Sequence, residues 1–227
     1  MPFQDLPARL AEVRAKIEQA RVRGGRGQEV GIVAVTKTYG PDAAAAAWGA
    51  GLKDVGENRV QEAAVKMTEV SVPVRWHLIG HLQRNKVKQL DGFHLVHSMD
   101  SARLANALDE HGRIRGRPML VLLQVNVSGE GTKGGYGPAD VEREAERLAG
   151  LTGLVVRGVM TMAPFDADEA TLRQVFAGTR RAAETLRAAG LPATDLSMGM
   201  SGDYEVAVEE GATLVRLGTV LFGARSA

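Results

Sequence analysis

Chemistry in this chain starts with a lysine at the end of an apolar run. In GIVAVTKTYG, residues 31–40, Val33, Val35 and Lys37 fall on one face of a strand and Ala34 and Thr36 on the other. An ammonium in such a row needs a partner, a lowered pKa or a covalent task, and a partly neutral lysine amine can condense with an aldehyde. Two segments near the C-terminus suggest what that aldehyde would carry. MGMSGD, residues 198–203, sets small residues, a hydroxyl and backbone N–H groups before a helical pattern, which are the parts of an anion cradle. RLGT, residues 216–219, adds a second glycine–hydroxyl pair. Leu214, Arg216 and Gly218 share a strand face, and if that face points inward a guanidinium sits near the centre and requires an acceptor. Lysine, phosphate cradle and arginine together suggest an aldehyde bearing a phosphate and a ring nitrogen. Each also has an ordinary reading: a lysine snorkelling to solvent, an N-cap at SGD, and an arginine paired with Glu57 or Asp203.

The elements that must position these residues alternate in type. Leu6, Leu10, Val13 and Ile17 recur at helical spacing within residues 3–22, predicting a leading helix. Short β-rich runs then alternate with helical patterns, from GIVAVTK followed by PDAAAAAWGAG to the final LVRLGTVLFG, making eight strand candidates. Such alternation implies parallel pairing with right-handed crossovers, and eight units in 227 residues predict one closed (β/α)₈ barrel with an added N-terminal helix, a doubly wound open sheet being the alternative. No linker or composition break divides the chain, so residues 1–227 are expected to form a single domain without a second one after the last strand. In a barrel, strand ends carry function. The expected ends are Lys37; Glu57 and Asn58; His81; His97 and Ser98; Asn126; Thr161 and Met162; Ser201 and Gly202; and a last strand carrying Arg216, Gly218 and Thr219.

Composition narrows the class of function. Hydrophobic residues make up 44% and charged residues 24%, with a net charge of +1, so charge implies neither a nucleic acid nor a membrane partner. Absence of cysteine removes disulfide and thiol chemistry, and neither a secretory h-region nor a membrane-length apolar run occurs. The expectation is a cytoplasmic, monomeric protein. His77 and His81 lie four apart on a strand pattern, where they make a poor metal pair, and no metal is expected. His94 and His97 read as strand-end or loop residues with hydrogen bonds. QRNKVK reads as a solvated basic face, and Met160, Met162, Met198 and Met200 as packing residues.

Several blocks in fixed order resemble one family: VAVTKTYG, GENRVQE, WHLIGHLQRNK, VLLQVNVSGEGTKGGYG, GVMTM, LSMGMSGDYEVAVEEGATLVRLGT and LFGAR. They are similar to the YggS/PROSC-type proteins of pyridoxal phosphate (PLP) homeostasis. The resemblance implies an alanine racemase-like barrel with PLP held by the first-strand lysine, here Lys37, as a Schiff base. It implies that Ser201, Gly202, Gly218 and Thr219 hold the phosphate, that Arg216 faces the pyridine nitrogen, and that Asn58 lies beside the cofactor. Arg59 replaces the tyrosine of the family's GENYVQE pattern and TKGGY replaces TKSG with an apolar residue, so no role carries over to loop residues such as Lys133.

An arginine at the pyridine nitrogen favours an unprotonated ring, a weaker electron sink. Alanine racemases compensate with a lysine on one side of the α-carbon and a tyrosine associated with a second domain on the other. Here the only tyrosines are Tyr39, Tyr136 and Tyr204, all in or near strand-to-helix loops. The expectation is therefore a non-catalytic PLP carrier or buffer serving PLP-dependent apo-enzymes. A weak PLP-dependent amino-acid racemase is the first alternative, and a Schiff-base aldolase acting on sugar phosphates the second.

Overall fold

The computed structural model describes residues 3–131 and 133–223. Eight parallel strands close into a barrel in sequence order: β1 (Gly31–Val35), β2 (Asp54–Glu57), β3 (Arg75–Leu78), β4 (Phe93–Met99), β5 (Met119–Gln124), β6 (Leu154–Met160), β7 (Asp195–Ser197) and β8 (Leu214–Leu217). Closure is made by β1 on β8, with Val33 opposite Arg216. The expected barrel stands and the open sheet is excluded.

Helices follow the strands: α1 (Leu6–Gly24) before β1, then α2 (Pro41–Gly49), α3 (Val60–Glu69), α4 (Ala102–Ile114), α5 (Val141–Ala149), α6 (Glu169–Ala188), α7 (Tyr204–Glu209) and α8 (Thr219–Phe222). Proline in the first turn of α2 costs no hydrogen bond, because the first N–H groups of a helix lack partners anyway. Between β3 and β4 the expected helix is a 3-10 segment, Arg84–Gln89, in which Val87 is buried while Arg84, Lys88 and Gln89 stay exposed. The leading helix α1 buries the expected stripe plus Ala20 and stops at Gly25, whose φ of 63° ends the helical path. Charge holds it to α7: Arg23 meets Glu209 at 2.6 Å and Lys16 meets Glu205 at 3.8 Å.

Alternation along the strands sorts the core. Ile32, Ala34, Val55, Val121, Leu123 and Val156 join the large cluster between barrel and helices. Leu95, Leu122 and Met160, flanked by Leu120, Met162 and Leu214, fill the barrel itself. The methionines divide: Met160 and Met198 are buried, whereas Met200 is 38% exposed.

Several strands end earlier than expected. β1 stops at Val35, so Lys37 lies in the turn beyond it; β7 stops at Ser197, so Ser201 and Gly202 belong to the loop before α7. Gly218 and Thr219 are likewise not in β8: Gly218 is the N-cap of α8 and Thr219 its first residue. The ladder ends where parallel partners run out, which residue type alone does not encode. Thr132, in the TKGGY block, and the C-terminal Ala224–Ala227, where the absence of a further domain was expected, lie outside the described residues.

Candidate functional site

Parallel strands present all their C-terminal ends to one mouth of the barrel. A cavity of about 1130 Å³ opens there, and all seven residues expected to hold a cofactor border it.

Lys37 opens on the same cavity as Val35, although the strand has ended. Its turn is tight: Tyr39 N–H donates to Thr36 O at 3.1 Å, and Thr38 adopts φ 70°, a conformation β-branched residues avoid. A buried clamp holds the residue before the lysine. Thr36 Oγ1 donates to Glu57 Oε1 at 2.6 Å, and Lys66 Nζ, from α3, donates to the same oxygen at 2.6 Å and to Thr36 O at 2.8 Å. Glu57 thus serves the Lys37 turn and does not neutralise Arg216. Sequence reasoning missed Lys66, yet a signal existed: it falls six residues after Val60 and three after Ala63, on the buried face of α3.

Arg216 points into the barrel and is 5% exposed. Its Nη1 donates to Ser197 O and Ser197 Oγ, both at 2.7 Å, and its Nη2 donates to Thr161 O at 2.8 Å. Pairing with Glu57 or Asp203 through a salt bridge is not observed; carbonyls and a hydroxyl supply the acceptors. Burial pushes the guanidinium down to about 10, against the field of Asp203, so it remains a cation at neutral pH.

Ser201, Gly202, Gly218 and Thr219 lie side by side at the cavity. Gly218 N–H and Val220 N–H both approach Ser201 Oγ at 3.4 Å, a long contact. Among the described residues, no acceptor meets the amide N–H of Ser201, Gly202 or Thr219. Nothing lies within 4 Å of where a Cβ at Gly202 would be, so space stays open above these donors. Upstream, Gly199 shapes the loop: φ is 92°, and a Cβ there would stand 2.7 Å from the Cβ of Ala207. Asp203 does not cap α7 with its side chain but accepts from Met200 N–H at 2.6 Å, and burial raises its carboxyl pKa. Asn58 borders the cavity just beyond β2 and is held by a close approach, since a Cβ at Gly80 would lie 2.3 Å from Asn58 O.

The tyrosines take structural roles. Tyr39 borders the cavity, but its hydroxyl donates to Gly223 O at 3.2 Å and its ring packs between Phe3 and Phe222. Tyr136 and Tyr204 are buried away from the cavity lining, and burial pushes both phenols up, aided at Tyr136 by Glu144 and at Tyr204 by Glu205. Lys133 reaches the cavity while donating to Ala163 O at 2.8 Å. His77 and His81 part company: His77 is buried in the barrel and His81 is exposed, 3.0 Å from Asp100. No group of three potential metal ligands occurs among the described residues. His97 is fully buried, not at a loop, and burial and then the charges of His77, Arg216 and His94 hold its pKa well below 6.5.

Open amide donors suited to an anion, a lysine and a buried guanidinium thus border one cavity. Residues 9–226 match the family model described as "Alanine racemase, N-terminal domain". A pyridoxal phosphate homeostasis protein of Pseudomonas aeruginosa is 43% identical over 219 residues, covering 95% of this chain and 94% of that protein. One of Deinococcus radiodurans is 45% identical over 212 residues, covering 92% and 97%. The structure of PipY from Synechococcus elongatus PCC7942 with PLP bound superposes with a TM-score of 0.85 at 38% identity, covering 96% of this chain and all of that one. The chain belongs to the pyridoxal phosphate homeostasis protein family, built on the alanine racemase N-terminal barrel. Alanine racemase from Corynebacterium glutamicum shares the fold at a TM-score of 0.73 and 17% identity.

Proposed function

We propose that this chain is a single-domain pyridoxal 5'-phosphate-binding protein of PLP homeostasis that holds the cofactor through Lys37, without catalytic turnover. One observation carries the reading: the lysine, the open amide donors of Ser201, Gly202 and Thr219, and buried Arg216 all border one cavity. Relatives named for PLP homeostasis and a relative solved with PLP support it.

When bound, PLP supplies an aldehyde that condenses with amines and a ring that draws electrons from the joined carbon. The chain's part is to bind and orient. Lys37 presents its amine from a turn clamped by Thr36, Glu57 and Lys66. The loop after β7 and the start of α8 would offer N–H groups to the phosphate, with open space at Gly202. Arg216 would meet the pyridine nitrogen and, as a permanent cation, would keep a proton off it. Asn58, which borders the cavity, would lie beside the ring. Racemisation needs a second acid–base group across from the lysine. The packing of Tyr39 and the raised phenols of Tyr136 and Tyr204 favour the carrier reading over that alternative. A cytoplasmic monomer that passes PLP to apo-enzymes completes the proposal. Among the described residues no helix is long and apolar enough to cross a membrane.

Mixing the purified protein with PLP should give a borohydride-reducible adduct, seen by absorbance and by intact mass, that maps to Lys37. Lys37→Ala should lose the adduct. An adduct that persists in Lys37→Ala, or none in the wild type, refutes the assignment. Ready α-proton exchange on an amino-acid panel, dependent on Lys37, would replace the carrier by the racemase.

A further inference from the structure

Beneath Arg216 a line of polar side chains crosses the barrel interior. Ser197 Oγ, from β7, accepts from Arg216 Nη1 at 2.7 Å and lies 2.8 Å from Nδ1 of His97, on β4. Nε2 of His97 lies 2.9 Å from Nδ1 of His77, on β3, and Nε2 of His77 lies 2.8 Å from Asp54 Oδ1, at the start of β2. His77, His97, Ser197 and Arg216 are all buried. Asp54 borders a second cavity, of about 740 Å³, that also takes in the start of β1 at the opposite mouth.

The two ends of this line set its direction. A guanidinium can only donate, and an ionised carboxylate can only accept. Burial works against ionisation of Asp54, but hydrogen bonds from His77 and Arg75 outweigh it and hold the carboxyl below its usual range. Between a fixed donor and a fixed acceptor, a chain with one proton per link runs one way. Arg216 donates to Ser197, the Ser197 hydroxyl to His97 Nδ1, His97 Nε2–H to His77 Nδ1, and His77 Nε2–H to Asp54. Both imidazoles are then neutral and every nitrogen is satisfied. One proton added to the pair would turn His97 round, and the Ser197 hydroxyl would lose its acceptor. That hydroxyl would be stranded in a dry interior. The charged or titratable groups facing the pair are Asp54 on β2, His94 on β4, Asp195 on β7 and Arg216 on β8; Arg75 on β3 acts on Asp54 and His94, and Arg157 on β6 on His94 and Asp195.

We propose that Asp54, His77 and His97 are positioning residues for the ring-nitrogen end of the cavity, acting through Ser197 to hold Arg216 in one orientation and link it to the opposite mouth. The proposal rests on the reading that the cavity binds PLP. None of the three residues borders that cavity, so each acts at a distance.

Two measurements test it. In the PLP-free protein, ¹⁵N shifts of the imidazoles at neutral pH should show both His77 and His97 as neutral rings protonated at Nε2. A proton on Nδ1 of either ring, or an imidazolium, overturns the proposal whether or not PLP binds. In the loaded protein, His97→Leu should weaken PLP about tenfold, as expected for one stranded buried hydrogen bond. It should also shift the pH profile of the bound cofactor's absorption by about half a unit or more. His97→Gln, whose carboxamide offers one acceptor and one donor, should stay within about twofold of wild type. A folded His97→Leu with wild-type affinity and profile, or a His97→Gln as impaired as His97→Leu, overturns it; if His97→Leu fails to fold, His97→Gln and the nitrogen shifts decide. No PLP uptake by the wild type would instead sink the reading of the cavity, a failure distinct from a wrong tautomer.

Discussion

Lys66→Met removes the cation from the clamp behind Lys37. Lys66 and Glu57 meet at 2.6 Å with side chains 10% and 0% exposed, so water cannot take the place of the lost ammonium. Glu57 Oε2 already has no partner among the described residues, which leaves Oε1 with only the Thr36 hydroxyl. Breaking a buried ion pair from one side costs about 3–5 kcal/mol, because an uncompensated charge stays behind. That is a large part of the roughly 5–15 kcal/mol that keeps a domain folded. The expected result in urea unfolding of the PLP-free protein is a midpoint lowered by that free energy divided by an unchanged slope. Glu57→Met combined with Lys66→Met removes both charges and should be less destabilised than Lys66→Met alone. PLP uptake should also weaken in Lys66→Met, since Thr36 O loses its donor beside the lysine turn. A cost for Lys66→Met below about 1 kcal/mol, the range of solvated surface pairs, would refute the reasoning.

Two further outcomes are accessible with the same assay. Gly199→Ala puts a Cβ 2.7 Å from Ala207 and 2.9 Å from Tyr204 Cα at φ 92°, so it should cost about 2 kcal/mol or more and weaken PLP binding; a neutral effect would show that the loop relaxes freely. His97 is held neutral, its pKa in the fold lying below the 6.5 of the unfolded chain. The unfolded state therefore binds more protons as pH falls below about 6.5, and stability present above that value is lost on acidification. Unfolding at pH 7.5 and 5.5 should show lower stability at 5.5, with a smaller drop in His97→Gln; equal drops would assign the effect elsewhere.

The site was readable from residue order to a degree set by geometry. Lys37, Asn58, Ser201, Gly202, Arg216, Gly218 and Thr219 all follow or end strands, and parallel closure sends every such position to one mouth, so they meet at one cavity. Their immediate surroundings were less readable. Lys37, Ser201 and Gly218 were expected on strands and sit in loops or at a helix start, because ladders stop where the neighbouring strand stops. Arg216 was expected to need an acceptor, but carbonyls of Ser197 and Thr161 supply it, and backbone acceptors leave no mark in sequence.

Alternation of short apolar runs with helical stripes is a local record of what each segment buries, and it determined the barrel, the leading helix and the mouth at which function gathers. Tertiary structure alone decided which polar groups meet. The Thr36–Glu57–Lys66 clamp joins a turn, a strand end and a helix, and the line from Asp54 to Arg216 joins five strands spread over most of the chain. A hydrogen bond depends on a separation of about 3 Å and on direction, and residues this distant along the chain acquire both only when β8 closes on β1.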